Sequence, residues 1–209
     1  MTNQNRTYKL VVASLLMAIM ILLQIMQLGI IPFLTFTFPI TVLHIPVIIG
    51  AIILGPRYGG FLGFVFGVIS VASNTYRVLP TSFAFSPFLH PLFSTGFFAS
   101  ILVCFVPRIL IGVFAALVFR ALCRVDKTKL AATTASAIIG TLTNTVLVLT
   151  GIWFLFGDSY AAAKNLPGLA PLLPFIWTII AANGVVEMIA AVVLAVPIAG
   201  ALLRFTKTS

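Results

Sequence analysis

The sequence predicts an all-α membrane protein with six transmembrane helices, both termini in the cytoplasm, and long outer loops after helices 1, 3 and 5. Of the 209 residues, 61% are hydrophobic and only 7% are charged, whereas a soluble domain carries about a quarter charged residues to wet its surface. The net charge of +9 does not point to nucleic acid, because the basic residues lie at the ends of apolar segments and form no single patch. A lipid bilayer is the predicted solvent, and residues 1–209 are predicted to form one multi-pass domain in the cell membrane.

The spans follow from the apolar runs. A spanning helix needs about 20 mostly apolar residues, and such runs predict spans at 10–31, 40–54, 58–72, 100–122, 130–156 and 175–203. The second and third spans are short, and the Gly- and Pro-containing segment 55–60 between them is typical of a tight helical hairpin. Prolines 80, 87 and 91 interrupt the next apolar run, so 76–99 is predicted to be a long, mostly non-helical lid.

The Lys and Arg positions predict the orientation, because cytoplasmic segments of membrane proteins carry an excess of them. With the N-terminus inside, the outer loops hold only Arg77 and Lys164, and Arg108 lies within a span. The other nine basic residues fall in cytoplasmic segments: Arg6, Lys9, Arg57, Arg120, Arg124, Lys127, Lys129, Arg204 and Lys207. This bias supports both the span count and the topology.

The informative residues are polar ones inside the spans. A charge at mid-membrane costs about 3 kcal/mol or more, so Arg108 and Glu187 are expected to face a cavity or a partner. Counting about 1.5 Å per residue from the basic end of each helix places Arg108, Asn144 and Glu187 in the outer half of the bilayer. Asn183 lies one turn from Glu187 on the same helix face.

The outer loops add aromatic side chains to this predicted cluster. A concave site lined by aromatic residues with a few convergent polar groups is the usual form of a small-molecule pocket. The candidate binding residues are therefore Arg108, Asn144, Asn183 and Glu187, with Phe85 and His90 from the third loop. The other loop aromatics are Phe33, Phe36, Phe38, Phe83, Phe88 and Phe93. The inner half has no charged residue deep in a helix, which favours a binder open to the outside over a channel.

Structural explanations for the same residues stay open. Arg108 and Glu187 could neutralise one another as a buried pair, and Asn144 could cross-link helices by hydrogen bonds. His44 and His90 each lie beside a proline, and a lone histidine there is more often packed than a ligand. Only three acidic residues and two cysteines are present, so neither a metal site nor a disulfide framework is predicted. No cofactor and no phosphate-binding loop are predicted either.

Four segments carry a resemblance to a known family: Phe-Pro-Ile-Thr-Val-Leu-His-Ile-Pro at 38–46, Gly-Pro-Arg-Tyr-Gly at 55–59, Val-Pro-Arg at 106–108 and Thr-Asn-Thr at 143–145. With these segments the chain resembles the substrate-binding S components of energy-coupling-factor (ECF) vitamin transporters over nearly its whole length. Within that family it is most similar to the pantothenate-specific members of lactobacilli.

The resemblance implies a function and partners. An S component is not an enzyme. It captures a vitamin from outside and docks on a transmembrane coupling protein (EcfT) that carries two ATPase subunits (EcfA and EcfA′). Family members usually dock through alanines four residues apart on the first helix. The matching positions are Ser14 and Ala18, with Ala13 alongside, and Ser14 departs from the strict pattern. Ordinary helix packing would explain such small residues equally well.

The predicted pocket suits pantothenate. Arg108 could hold the carboxylate bidentately, while Asn144, Asn183 and Glu187 could serve the amide and hydroxyls. Biotin, folate or riboflavin S components remain alternatives, and thiamine, a cation, fits less well.

Two other classes of protein remain open, a membrane enzyme and a stand-alone secondary transporter. The sequence shows neither matched Ser–His or paired-acid groups nor the internal repeats that such transporters often have.

Overall fold

The protein is described from a computed structural model that covers residues 3–27, 30–31, 40–126 and 128–205. These residues form six α-helices. Two short strands, β1 (Ile30–Ile31) and β2 (Ile40–Thr41), pair antiparallel with Ile30 opposite Thr41. The helices are α1 (Asn3–Ile25), α2 (His44–Leu54), α3 (Pro56–Tyr76), α4 (Thr95–Leu122), α5 (Leu130–Ala163) and α6 (Leu169–Phe205). The predicted all-α fold is confirmed.

Five of these six helices are long and apolar enough to cross a membrane, and α2 is the exception. Its 11 residues span about 16 Å, roughly half of the hydrocarbon thickness. Ten of the 11 are buried, as expected for a helix that is apolar on every side. A sixth complete span and the predicted orientation therefore stay predictions.

The structure corrects several predicted bounds. The first helix ends at Ile25, short of the predicted 31. Helix α5 kinks at Phe156, where the predicted span ended, and then continues to Ala163. Helix α6 begins at Leu169 and not at 175. Pro171 lies in its first turn, where backbone N–H groups need no partner within the helix, and Pro174 lies inside the helix.

The predicted lid is present as residues 77–94, which we call the lid. It contains two 3₁₀ turns, Ser82–Ala84 and Pro87–Leu89. It is shorter than predicted because helix α4 already begins at Thr95, where the hydroxyl of Ser94 accepts a hydrogen bond from the Phe97 N–H. Such a side-chain cap satisfies one of the N–H groups that a helix start leaves open.

Helices α3 and α4 approach backbone to backbone through glycines. A methyl group added to Gly112 would collide with the backbone of Gly59, and one added to Gly63 would collide with the Arg108 carbonyl. Close approach of this kind is what small residues permit in membrane helices. We call the half of the bundle with these contacts the closed half. Its core is apolar and includes Met20, Ile48, Leu62, Ile111 and Ala115.

Candidate functional site

Beyond the closed half the helices surround a cavity of about 220 Å³. Helices α3 to α6 line it, the lid contributes Phe85, and Gln24 of α1 and Thr41 of β2 reach it. We call this part of the bundle the cavity half. Five of the six predicted binding residues line the cavity: Phe85, Arg108, Asn144, Asn183 and Glu187.

Arg108 is the cation of the site. Its side chain is only 6% exposed, and its Nη1 donates to the Val103 carbonyl at 2.8 Å. That carbonyl lies four residues before Pro107, which has no N–H to donate to it, so the arginine satisfies the acceptor that the proline leaves open. The guanidinium carbon lies 5.5 Å from the centre of the Phe66 ring and 5.2 Å from that of Phe85.

These contacts leave part of the guanidinium unused. The Nε of Arg108 is buried and has no hydrogen-bond partner in the part of the chain that the structure describes. Two aromatic faces stabilise the cation without consuming its N–H donors. The group is therefore held in place and still able to bind an anion. A planar carboxylate matches the geometry of its remaining donors.

Glu187 is held by the protein itself. Its Oε1 accepts from the Thr41 backbone N–H at 2.9 Å, and its Oε2 accepts from the Thr145 hydroxyl at 3.1 Å. No direct ion pair joins it to Arg108 among the described residues. The two charges therefore face the same cavity without neutralising one another by contact. Glu187 connects β2, and with it the end of the first outer loop, to helices α5 and α6.

The two asparagines supply amide groups to the cavity. Asn144 is 8% exposed and Asn183 is 6% exposed. The Oδ1 of Asn144 is buried, with no hydrogen-bond partner among the described residues. A buried acceptor left open costs about 1–3 kcal/mol, so this oxygen is better explained as an acceptor for a bound molecule than as a helix cross-link.

His90 lies outside the cavity lining. Its Nε2 lies 2.8 Å from the Phe83 carbonyl and its ring stacks on Phe156, with centroids 5.6 Å apart. The Ser100 hydroxyl donates to the same carbonyl at 2.7 Å. These contacts fasten the lid to α4 and α5, so ligand binding by His90 stays a prediction that this position does not support. His44 is fully buried, with no hydrogen-bond partner for either ring nitrogen in the described part of the chain.

The predicted docking residues divide into two groups. Ser14 and Ala18 are exposed on α1, whereas Ala13 is only 3% exposed and packs into the bundle. A surface for a partner can therefore include the first two but not Ala13. The first-loop aromatics Phe33, Phe36 and Phe38 lie outside the described residues.

Sequence reasoning missed a set of uncharged polar residues that line the cavity near the lid. The available signal was a polar run near the end of the Gly-rich third span, at helical spacing. The missed residues are Gln24, Ser70, Ser73, Asn74, Thr81 and Tyr160.

A bundle of apolar helices around a partly open, largely apolar cavity that holds a few buried polar groups is the architecture of a membrane protein that binds small solutes. The family model described as "ECF transporter, substrate-specific component" matches residues 8–199, so the chain belongs to that family. It is therefore a multi-pass membrane component of a transporter and not an enzyme, and it works with an ECF energy-coupling module. The predicted resemblance is confirmed.

Among individual relatives, the chain is similar to the pantothenic acid transporter PanT of Lactococcus lactis subsp. cremoris (strain MG1363). The two are 36% identical over 209 residues, which cover 99% of this chain and all of PanT.

Proposed function

We propose that the protein is the high-affinity substrate-capture subunit of an ATP-driven ECF importer, and that its substrate is pantothenate. The observation that carries the substrate is Arg108, a buried cation with an open donor that lines the cavity. The similarity to PanT over the full chain supports the same substrate.

The cavity fits a small carboxylate with further polar groups. Arg108 binds the carboxylate, and Asn144 and Asn183 present amides beside it. Apolar side chains such as Leu149, Ile152 and Ile179 line the wall and cover the gem-dimethyl carbon. Because both oxygens of Glu187 already accept hydrogen bonds from the protein, its role is to position β2 and to balance the charge of Arg108.

The topology and partners complete the proposal. In this proposal the subunit has six membrane segments, counting the half-length α2, with both termini in the cytoplasm and the cavity toward the outside. Basic residues concentrated at the end of the bundle opposite the lid support this orientation. The subunit docks on a coupling protein, EcfT, and the two ATPase subunits EcfA and EcfA′ hydrolyse the ATP.

Binding calorimetry on the purified chain, without ATP, tests the substrate. The panel is pantothenate, biotin, folate, riboflavin and thiamine. Nanomolar binding of pantothenate alone is expected. Tight binding of a different vitamin would keep the transporter class and overturn the substrate, and no binding by a folded protein would overturn both parts of the proposal.

The docking face has its own test. Replacing Ser14 or Ala18 with Trp should abolish vitamin uptake in membranes that contain the coupling module, because a large side chain keeps the partner helix away. Binding by the isolated subunit should be unchanged. The matched control is Val193→Trp, since Val193 is an exposed side chain on α6. A loss of binding in the α1 variants would show that these residues serve packing within the subunit.

A further inference from the structure

The cavity is polar at both ends and apolar between them. Along α5 its lining runs from Asn144 and Thr145 through an apolar stretch that includes Leu149 and Ile152 to Tyr160. From Asn144 to Tyr160 this covers about 24 Å of helix at 1.5 Å per residue. A ligand that fills this space therefore meets two separate sets of polar groups.

The inner set consists of the polar residues at the end of the cavity away from the lid, among them Thr145 and Glu187. It has little hydrogen-bonding capacity left for a ligand. Thr145 and Glu187 are bonded to one another, and Glu187 also accepts from Thr41. The Thr145 hydroxyl has a single hydrogen, which is shared with the Thr141 carbonyl at 3.2 Å. At this end of the cavity, the Asn144 Oδ1 is the buried acceptor without a hydrogen-bond partner among the described residues.

The outer set lies on α3 and around it, on the lid side of Arg108. Phe66 contacts the guanidinium, and Ser70 and Asn74 follow it by one and two turns, about 6 and 12 Å along the helix. None of the residues in this set is charged. We call them the lid-end polar group: Gln24, Ser70, Ser73, Asn74, Thr81 and Tyr160.

Part of this group forms a fixed frame. Gln24 donates to the Ser73 hydroxyl at 2.7 Å and joins α1 to α3. The Asn74 amide donates to the Ser70 carbonyl at 2.9 Å and accepts from the Ser82 hydroxyl of the lid at 3.0 Å. These bonds connect the two helices and the lid around one end of the cavity.

The remaining hydroxyls are open. Those of Ser70, Thr81 and Tyr160 line the cavity and make no hydrogen bond to any other residue that the structure describes. Three open hydroxyls, two of them on the framed α3 and lid and the third on α5, are suited to the hydroxyl or amide groups of a neutral ligand part. An analogue that lacks the ligand hydroxyl would lose about one neutral hydrogen bond at such a site.

We propose that the lid-end polar group is a second subsite, which binds the uncharged, hydroxyl-bearing end of the ligand whose carboxylate lies at Arg108. The inference rests on the proposed function. It assigns the direction of the ligand, with the carboxylate at Arg108 and the terminal hydroxyl beneath the lid. Pantothenate has groups in this order, because its carboxylate and its terminal hydroxyl are at opposite ends of the molecule.

The test measures coupling between one ligand hydroxyl and the subsite, by calorimetry on the full chain. The wild-type protein is titrated with pantothenate and with the analogue in which hydrogen replaces the terminal hydroxyl. The analogue should bind roughly threefold to tenfold more weakly, as expected for the loss of about one neutral hydrogen bond. In the triple variant Ser70→Ala, Thr81→Val and Tyr160→Phe, the two ligands should bind equally.

Matched variants control for the loss of a hydroxyl elsewhere. Ser136 and Thr143 bond to carbonyls of their own helix, and Ser136→Ala and Thr143→Val should keep the wild-type discrimination. A third ligand, with hydroxymethyl in place of the carboxylate, tests the contact at Arg108. Its weaker affinity relative to pantothenate should persist in the triple variant and disappear in Arg108→Gln.

The outcomes separate the two proposals. If wild-type protein does not bind pantothenate, the proposed substrate and the subsite both fall. If it binds but the triple variant still discriminates against the deoxy analogue, the subsite alone is overturned. Loss of that discrimination in Asn144→Ala instead would place the hydroxyl at the inner end. Should the triple variant fail to fold, the three single variants carry the same comparison.

Discussion

The closed half and the cavity half are built on the same helices, but they differ in whether the protein supplies hydrogen-bond partners for their buried polar groups. In the closed half the buried hydroxyls of Thr133, Ser136 and Thr141 donate to backbone carbonyls four residues earlier, at the start of α5 or within it. The local backbone thus satisfies these side chains. In the cavity half, the Arg108 Nε and the Asn144 Oδ1 are buried without hydrogen-bond partners among the described residues. Arg108 and Asn144 also line the cavity, whereas His44 and Trp153, whose buried ring nitrogens likewise have no partner among the described residues, do not. An open polar group indicates a binding site only where it also faces the cavity.

Arg108 lies at the boundary between the halves. Its carbonyl packs against Gly63 in the glycine-lined contact of α3 and α4, while its side chain faces the cavity. The closed half therefore fixes the backbone that carries the charged group. Because the backbone of Arg108 is already fixed, ligand binding does not have to order it, and the ordering cost of binding is smaller.

The largest expected effect comes from removing the cation. Arg108→Ala should weaken pantothenate binding by about 2–5 kcal/mol, the cost of truncating one side of a buried charge pair. Arg108→Lys should recover only part of this, because lysine keeps the charge but loses the planar fork of donors. Calorimetry on both variants measures the difference.

The control for this prediction is Arg57→Ala. Arg57 is an exposed arginine at the start of α3, away from the cavity lining, and its removal should leave affinity unchanged. Unchanged affinity in a folded Arg108→Ala protein would remove Arg108 from the binding site and contradict the contrast between the halves.

The next effect tests the close contact of the closed half. Gly112→Ala places a methyl group against the Gly59 backbone, where no side chain can move aside. Overpacking of this kind destabilises by roughly 1–3 kcal/mol, and ligand affinity should fall with it because Arg108 is one turn away. Thermal unfolding in detergent and calorimetry measure the two effects.

Gly200→Ala is the matched substitution, since nothing in the described part of the chain, apart from the adjoining backbone of α6, lies within 4 Å of the added methyl. It should leave the unfolding temperature unchanged or slightly raised. Equal behaviour of the two variants would mean that the α3–α4 contact is looser than the structure shows.

The composition of the cavity half could be predicted from the sequence where charge or depth singled out a residue. Arg108 and Glu187 are charged residues within apolar spans, and Asn144 and Asn183 lie at matching depths. The lid-end polar group was missed, because the polar run near the end of the third span holds no charged residue that singles it out, and the other members lie in separate segments. Only the packing of α1, α3 and the lid shows that these residues share one cavity.

The fold was predictable to the same extent. Apolar length identified the helices, but α2 shows the limit of that criterion, since a fully apolar segment can be a short helix buried in the bundle. The roles of Ala13 and His90 depended on which way a side chain points. One small residue of α1 is buried and its neighbour Ser14 is exposed, a difference that a small-residue pattern does not contain.

A smaller effect distinguishes two roles of Glu187: bonding to Thr41 and Thr145 within the protein, and contacting the ligand. Glu187→Gln can still accept from Thr41 and donate to Thr145, so both contacts survive while the charge is lost. Pantothenate affinity should then change by less than about 1 kcal/mol, or improve, because a like charge has left the cavity. Glu187→Ala loses both contacts and should weaken pantothenate binding by about 1–2 kcal/mol. A large loss in the Gln variant would mean that the carboxylate itself contacts the ligand.

The smallest effect concerns a satisfied polar group at the far end of the closed half. Asp126 accepts from the Thr128 N–H at 3.0 Å and from the Ala132 N–H at 2.9 Å, and so caps the start of α5. The hydrogen bond from Ala132, then the one from the Thr128 hydroxyl, hold the pKa of this carboxyl below its ordinary value of 3.8. The carboxylate therefore stabilises the fold above that pH, and the contribution disappears as the pH falls through the lowered pKa.

Asp126→Ala should accordingly lower the unfolding temperature slightly at pH 7, and the gap to wild-type protein should close as the pH falls below 3.8. Asp158→Ala, which removes an exposed carboxylate within α5, controls for the change in net charge. It should leave no comparable gap at either pH. Persistence of the Asp126 gap in acid would show that the loop conformation, and not the ionised cap, supports α5. Internally satisfied polar groups would then contribute less to the stability of the closed half than its hydrogen bonds indicate.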